Sequence, residues 1–140
     1  MESQLSDEAH FGQGEVVILV DDLPAITRAT AKILGAIGYQ VESFIDPKDA
    51  LARAVVLAGQ EDYRLDLLIT DVIMPGMVGT ELAKHIRSIF PDVKILFITG
   101  YDHQLIDAYA QETGEEVHFV MKPCPAKLLA QKIRETLGKQ

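Results

Sequence analysis

The sequence contains a single cysteine, Cys124, among its 140 residues, so no intrachain disulfide can form and no second thiol is available for a metal knuckle. Cys124 is expected to be a small, semi-buried side chain, and the chain a protein of a reducing, cytoplasmic compartment. Basic residues are scarce as well. Thirteen Lys and Arg against 21 Asp and Glu leave a formal net charge of −8, the wrong sign for a chain that must neutralise nucleic-acid phosphates by itself. No apolar run approaches the roughly 18 residues of a membrane-spanning helix, and residues 1–14 are acidic and polar rather than basic and then apolar. Neither a membrane span nor a signal peptide is expected.

What is present has the composition of one globular domain, 48% hydrophobic and 24% charged. Folding at this length buries roughly two-thirds of the unfolded surface, enough to stand without disulfides or a structural metal. Residues 1–14 read as a flexible leader or linker and residues 15–140 as the domain.

From Glu15 onward, short runs rich in Val and Ile alternate with longer segments of helical periodicity, the pattern of a parallel sheet covered by helices on both faces. Five such pairs are expected. Val16 to Val20 is apolar throughout, as a doubly covered strand must be, and Pro24 opens a helix whose stripe is Ile26, Ala29, Ile33, Leu34 and Ile37 before Gly38. Tyr39 to Phe44 is a more polar edge strand, followed by Asp46-Pro47 as cap and first turn of the second helix. Leu65 to Thr70 is the third strand, and Thr80 is placed to cap the third helix after the Pro/Gly-rich turn. Lys94 to Ile98 is the fourth strand. The next helix, Asp102 to Glu112, has only Leu105, Ile106 and Tyr109 as larger apolar residues and is the candidate mobile element. Val117 to Met121 is the fifth strand, and Pro125 starts the last helix.

In an open doubly wound sheet, functional groups collect beyond the carboxyl ends of the strands. Asp21 and Asp22 follow the first strand, Asp71 the third, Thr99 the fourth and Lys122 the fifth. If the first and third strands are neighbours, three carboxylates share one crevice, and their repulsion calls for a proton or a cation. An all-oxygen site suits magnesium, which leaves coordination free for a phosphate oxygen and offsets the charge that would repel an incoming phosphoryl group. A carboxylate nucleophile then gives an acyl phosphate, with Lys122 and the Thr99 hydroxyl able to contact its oxygens. Each residue alone has a plainer explanation as a cap, turn or strand end. Their joint placement at four strand ends favours the functional one. His10, His85, His103 and His118 lack ligand spacing and are expected at the surface.

The motifs Val20-Asp21-Asp22, Thr70-Asp71 running through Met74-Pro75-Gly76 to Gly79, Phe97-Ile98-Thr99-Gly100 and Met121-Lys122-Pro123 resemble those of the response regulator receiver domain of two-component signalling. The likeness runs from about Val16 to Leu137. It implies a flavodoxin-like α/β fold, a five-stranded parallel sheet of order 2-1-3-4-5 with five helices. It also implies a phosphoacceptor that takes a phosphoryl group on Asp71 from a histidine kinase or phosphotransfer protein. Asp21, Asp22, Asp71 and the Ile73 backbone carbonyl fall on the magnesium positions, with Asp21 supporting through water. Thr99 and Phe119 fall on the switch positions, and Ile73 and Tyr101 flank the path of hydrolytic water. The Lys122-Pro123 bond is expected to be cis. The face made by the fourth helix, fifth strand and fifth helix is where an output partner or a second copy is expected to dock. Leu23 departs from the pattern, standing where many members carry a third acidic residue. The segments 71–82 and 94–101 are similar to receivers of hybrid sensor kinases, and stand-alone receivers share them.

Such a chain is a signalling phosphoacceptor, not an enzyme, beyond self-catalysed phosphotransfer and slow self-dephosphorylation. The rival from another class is a magnesium-dependent phosphohydrolase using Asp71 on small molecules, which an Asp at position 73 would have supported. A partner-binding pseudo-receiver is disfavoured by the intact Asp71, Thr99 and Lys122. A flavin binder would want a phosphate-cradling loop where Asp21-Asp22 stands.

Overall fold

A computed structural model describes residues 11–100 and 103–138. The elements alternate strictly: β1 Val16–Val20, α1 Pro24–Ala36, β2 Gln40–Phe44, α2 Pro47–Ala58, β3 Leu67–Asp71, α3 Gly79–Ile89, β4 Lys94–Thr99, α4 Gln104–Thr113, β5 His118–Met121 and α5 Ala126–Leu137. The five strands form one parallel sheet in the order β2-β1-β3-β4-β5, the flavodoxin-like arrangement that the motifs imply. Val20 lies beside Thr70 in the β1–β3 register, and Asp71 beside Ile98 in the β3–β4 register, so the loops after β1, β3 and β4 open at the same edge.

Successive residues of each central strand point to opposite faces, and the two faces have separate cores. Ile18, Val20, Leu68 and Phe97 pack under α2, α3 and α4 with Ala50, Ala54, Leu82, Ile86, Ile106 and Tyr109. Val17, Leu19, Leu67, Ile69, Leu96 and Ile98 pack under α1 and α5 with Leu34, Leu129 and Ile133. The more polar Gln40–Phe44 takes the edge of the sheet, where one face needs less apolar cover.

Several local expectations shift, each for a physical reason. β3 begins two residues later than Leu65 and includes Asp71 itself, because the ladder to β4 continues through the Asp71–Ile98 pair. In α1 the inward position falls to Thr27, whose hydroxyl donates to the carbonyls of Asp21 (2.6 Å) and Leu23 (2.9 Å); Ile26 and Ala29 turn outward. Asp46 caps α2 through the Lys48 amide as expected. Thr80 does not cap α3. The Gly79 amide donates to the Val72 carbonyl at 2.7 Å, so the turn winds straight into the helix, leaving Val78 as N-cap and Thr80 buried inside the first turn.

The span expected for α4 began at Asp102, which lies outside the described residues; within them the helix runs from Gln104 to Thr113. Its apolar side chains are few but well seated. Tyr109 meets Phe97 edge-on with ring centroids 5.3 Å apart, and Ile106 and Tyr109 are both buried. Polar tethers supplement them: Lys84 of α3 pairs with Glu112, and Glu115 takes hydrogen bonds from Arg87 (3.1 Å) and the Tyr109 hydroxyl (2.8 Å). Burial first, and then the bond to Glu115, push the Tyr109 phenol above its ordinary range, so it remains a neutral donor.

Of the leader assigned to residues 1–14, residues 1–10 lie outside the described residues. Phe11 packs on the core under α1 and α5, and the amides of Gly12 and Gly14 donate to the carbonyls of Ile37 and Gly38. The next residue, Glu15, is buried against Arg134 of α5, an ion pair that local sequence patterning did not anticipate.

Candidate functional site

Four strand ends deliver the site. Asp21 and Asp22 directly follow β1, Asp71 closes β3, Thr99 closes β4 and Lys122 directly follows β5. Carboxylate oxygens of Asp21, Asp22 and Asp71 all lie within 4.8 Å of one another. Lys122 reaches across from the other side of the sheet, its Nζ 2.9 Å from Asp71 Oδ2 and 3.2 Å from Asp21 Oδ2. The Lys122 amide donates to the Thr99 carbonyl at 2.8 Å, which ties the loop after β5 to the end of β4, and the Lys122–Pro123 peptide is cis.

The two buried carboxylates are held rigidly. Asp71 Oδ1 accepts from the Val72 amide at 2.8 Å, and Asp21 Oδ1 accepts from the Leu23 amide at 3.0 Å. Asp21 is 2% exposed and Asp71 6%, whereas Asp22 is half-buried. Burial raises the Asp71 carboxyl above its ordinary range; the bond and charge of Lys122 oppose this, and the Asp21 charge adds to it. Burial also works against the charge on Lys122, but its bond to Asp71 and the charges of Asp21 and Asp71 outweigh that and strengthen its hold on the proton. Lys122 is therefore a fixed cation at neutral pH.

A carboxyl whose pKa is higher folded than unfolded favours the folded state when protonated. Its ionisation costs stability as pH rises from the ordinary carboxylate range through the raised value. Asp71→Asn is thus expected to raise the melting temperature of the metal-free protein at neutral pH, with the gain vanishing once acid protonates Asp71 in both states. Thermal melts across that range check this, and a variant less stable than wild type at pH 7 would contradict it.

Among the described residues, these three carboxylates are the group whose ligand atoms converge as a metal would require. The donors are all oxygen, and one lysine contacts only two of the three, so negative charge is left over for a hard divalent cation. The set fits magnesium.

Three of the remaining positions lie among the described residues. Ile73 stands in the loop after Asp71 with its side chain 58% exposed. Thr99 is buried and in register with Met121, and Phe119 is half-buried beside Phe97. Tyr101 lies outside the described residues. Sequence reasoning treated His103 as a surface residue, but its ring meets Phe119 edge-on with centroids 4.7 Å apart. Spacing gave no signal for that contact, because it joins the start of α4 to β5 across the sheet edge. Gly79 ends a Pro/Gly-rich turn in the sequence, and in the structure a Cβ there would collide with the backbone oxygen of Asp71.

Comparison with known proteins gives the family and the fold. Residues 17–134 match the family model of the response regulator receiver domain. The chain is 30% identical over 141 residues to the sensor kinase CckA of Brucella abortus, covering 99% of this chain and 14% of that protein. It is 36% identical over 85 residues to the response regulator receiver protein CpdR of the same organism, covering 61% of this chain and 66% of that one. The chain thus spans a small part of one of these relatives and about two-thirds of the other. Among solved structures, the receiver domain of a hybrid histidine kinase CckA superposes with a TM-score of 0.69 at 34% identity, covering 87% of this chain and 98% of that one. A CheY-like receiver domain from Methanospirillum hungatei gives 0.75 at 29% identity, covering 90% and 95%. With the family model spanning most of the sheet and every strand end that carries the acidic crevice, the chain belongs to the response regulator receiver domains of two-component signalling.

Proposed function

We propose that this domain accepts a phosphoryl group on Asp71 from the phosphohistidine of a histidine kinase or phosphotransfer protein, in a magnesium-dependent reaction of a cytoplasmic phosphorelay. The observation that carries this is the Asp71 carboxylate, fixed between the Val72 amide and Lys122, and close to two further carboxylates. An Asp71 oxygen attacks phosphorus while the phosphorus–nitrogen bond to the donor imidazole breaks, and the imidazole retains the electron pair and takes up a proton. The product is an acyl phosphate. Asp21, Asp22, Asp71 and the Ile73 carbonyl would hold the magnesium, whose charge offsets repulsion between the carboxylates and the phosphoryl oxygens. Lys122 keeps a positive charge beside the acceptor, and Thr99, which closes β4 at the same edge of the sheet, would offer its hydroxyl to a phosphoryl oxygen.

The surroundings favour a protein donor. Leu23, Ile26 and Ile73 expose large apolar side chains near the acceptor, and Ile26 lines a cavity shared with Asp21 and Lys122. A partner presenting an apolar surface would cover them, and a small phosphorylated metabolite would not. The output is proposed to pass through Thr99 and Phe119 to the face of α4, β5 and α5, where a partner or a second copy would read it. Among the described residues no helix is long and apolar enough to cross a membrane.

Stoichiometry tests the proposal against a phosphohydrolase. With magnesium and acetyl phosphate, a receiver takes up one phosphoryl group per chain and then loses it slowly, because neither Ile73 nor Tyr101 can act as a general base. Ile73→Asn combined with Tyr101→Ala is expected to shorten the lifetime. Continuous turnover of small phosphomonoesters by the wild type, without a retained phosphoryl group, would contradict the proposal.

A further inference from the structure

His103 precedes α4 as its N-cap residue, and its side chain makes no cap hydrogen bond. The ring turns instead toward β5. It meets Phe119 edge-on at 4.7 Å between centroids, with 62° between the planes, and its Nε2 lies 3.1 Å from Met121 Sδ. With the proton on Nε2 this is an N–H···S hydrogen bond. His103, Phe119 and Met121 thus form a small cluster that bridges the start of α4 and the edge strand. Phe119 also packs on the core beneath α2, α3 and α4, so its ring lies between the core and His103.

We infer that His103 is a positioning residue for the switch, clasping Phe119 in its phosphate-free orientation and setting how readily the domain adopts its activated state. This rests on the proposed role of Phe119. Edge-on aromatic pairs are directional, so a phenyl ring that turned toward Thr99, as the proposed switch requires, would give up its edge-on contact with the imidazole, which the thioether contact holds in place. Loss of the clasp raises the population able to bind a phosphoryl mimic, and apparent affinity rises in the same proportion. At the α4 end of the contact, the His103 carbonyl accepts the Asp107 amide at 2.9 Å, so His103 belongs to the first turn of the helix and moves with it.

The test is calorimetric titration of magnesium-loaded protein with beryllofluoride, in wild type, His103→Ala, His103→Phe, Phe119→Ala and the double variant His103→Ala with Phe119→Ala. His103→Ala is expected to bind about threefold to tenfold more tightly than wild type and to melt a few degrees lower, because the contacts it loses stabilise the phosphate-free state that dominates without ligand. His103→Phe keeps an aromatic edge against Phe119 and is expected to restore wild-type affinity to within about twofold. In the Phe119→Ala background, His103→Ala is expected to add nothing. Wild-type affinity in His103→Ala, alongside altered affinity in Phe119→Ala, would overturn the clasp and leave the switch standing. Unchanged affinity in all variants would overturn both. An equal gain from His103→Ala with and without Phe119 would also overturn the clasp, because the effect would not pass through that ring.

Discussion

Gly79→Ala is expected to cost about 2–3 kcal/mol of stability and to slow phosphorylation of Asp71 by about two orders of magnitude. A Cβ built on Gly79 falls inside the contact distance of the Asp71 backbone oxygen, 3.0 Å from the Asp71 carbonyl carbon and 3.1 Å from Val72 Cα. These are backbone atoms of the strand end that carries the acceptor, so no side chain can rotate away. Either the start of α3 retreats and gives up the 2.7 Å bond from the Gly79 amide to the Val72 carbonyl, or Asp71 moves. Both displace a carboxylate whose Oδ1 depends on the Val72 amide. Chemical melts and rates of acetyl phosphate labelling check this. Wild-type values of both would show that the turn has room that the close approach denies.

The second large effect lies at the opposite end of the sheet. Glu15 and Arg134 are 3% and 4% exposed, joined at 3.0 Å between Oε2 and Nη1, and the same Nη1 donates to the Tyr39 hydroxyl at 3.2 Å. Arg134 Nε is buried without a partner. Removing Arg134 takes the facing cation away from a buried carboxylate that keeps neutral support such as the Gln13 backbone amide at 2.6 Å, so Arg134→Met is expected to destabilise the domain by about 3 kcal/mol. Replacing both, Arg134→Met with Glu15→Leu, is expected to recover most of that loss, since an apolar pair of similar volume needs no desolvation. Denaturant titration of the four proteins in this cycle gives the coupling directly. A single variant losing less than about 1 kcal/mol, or a double variant no better than the single, would show that the pair is neither dry nor coupled.

The contrast between these two features and the acceptor crevice explains what the sequence could disclose. Asp21, Asp22, Asp71, Thr99 and Lys122 were legible because each ends an apolar run, and a parallel sheet converts that one-dimensional position into a shared edge. The alternation of runs and helical stripes likewise carried the fold. Thr27 was missed because its burial follows from a bond to the carbonyl of Asp21, not from apolarity. Glu15 and Arg134 were missed because charged residues near both ends of a domain read as solvated, and 119 positions separate them. Gly79 resembled any turn glycine until the backbone of Asp71 was placed against it. His103 fell out of view because pairs across a sheet edge leave no periodicity.

The polar tethers of α4 bear on the switch as well. Few apolar residues hold this helix, and the pairs Lys84–Glu112 and Arg87–Glu115 share the task. Lys84–Glu112 is exposed enough to be weak and salt-sensitive, whereas Arg87–Glu115 is half-buried and anchors the segment after the helix. In the proposed switch the start of α4 would shift against Phe119 while the buried Ile106 and Tyr109 keep the helix attached.

The central claim is that Asp71 is the phosphoacceptor, and the most direct test is to locate the phosphoryl group. The protein is incubated with magnesium and acetyl phosphate and reduced with borohydride, which converts an aspartyl phosphate into homoserine; the modified position is then read by peptide mass spectrometry. The account predicts homoserine at position 71 alone, no modification in Asp71→Asn, and little in Asp22→Ala or when magnesium is withheld. Homoserine at Asp21 or Asp22 in the wild type, or undiminished labelling of Asp71→Asn, would contradict it.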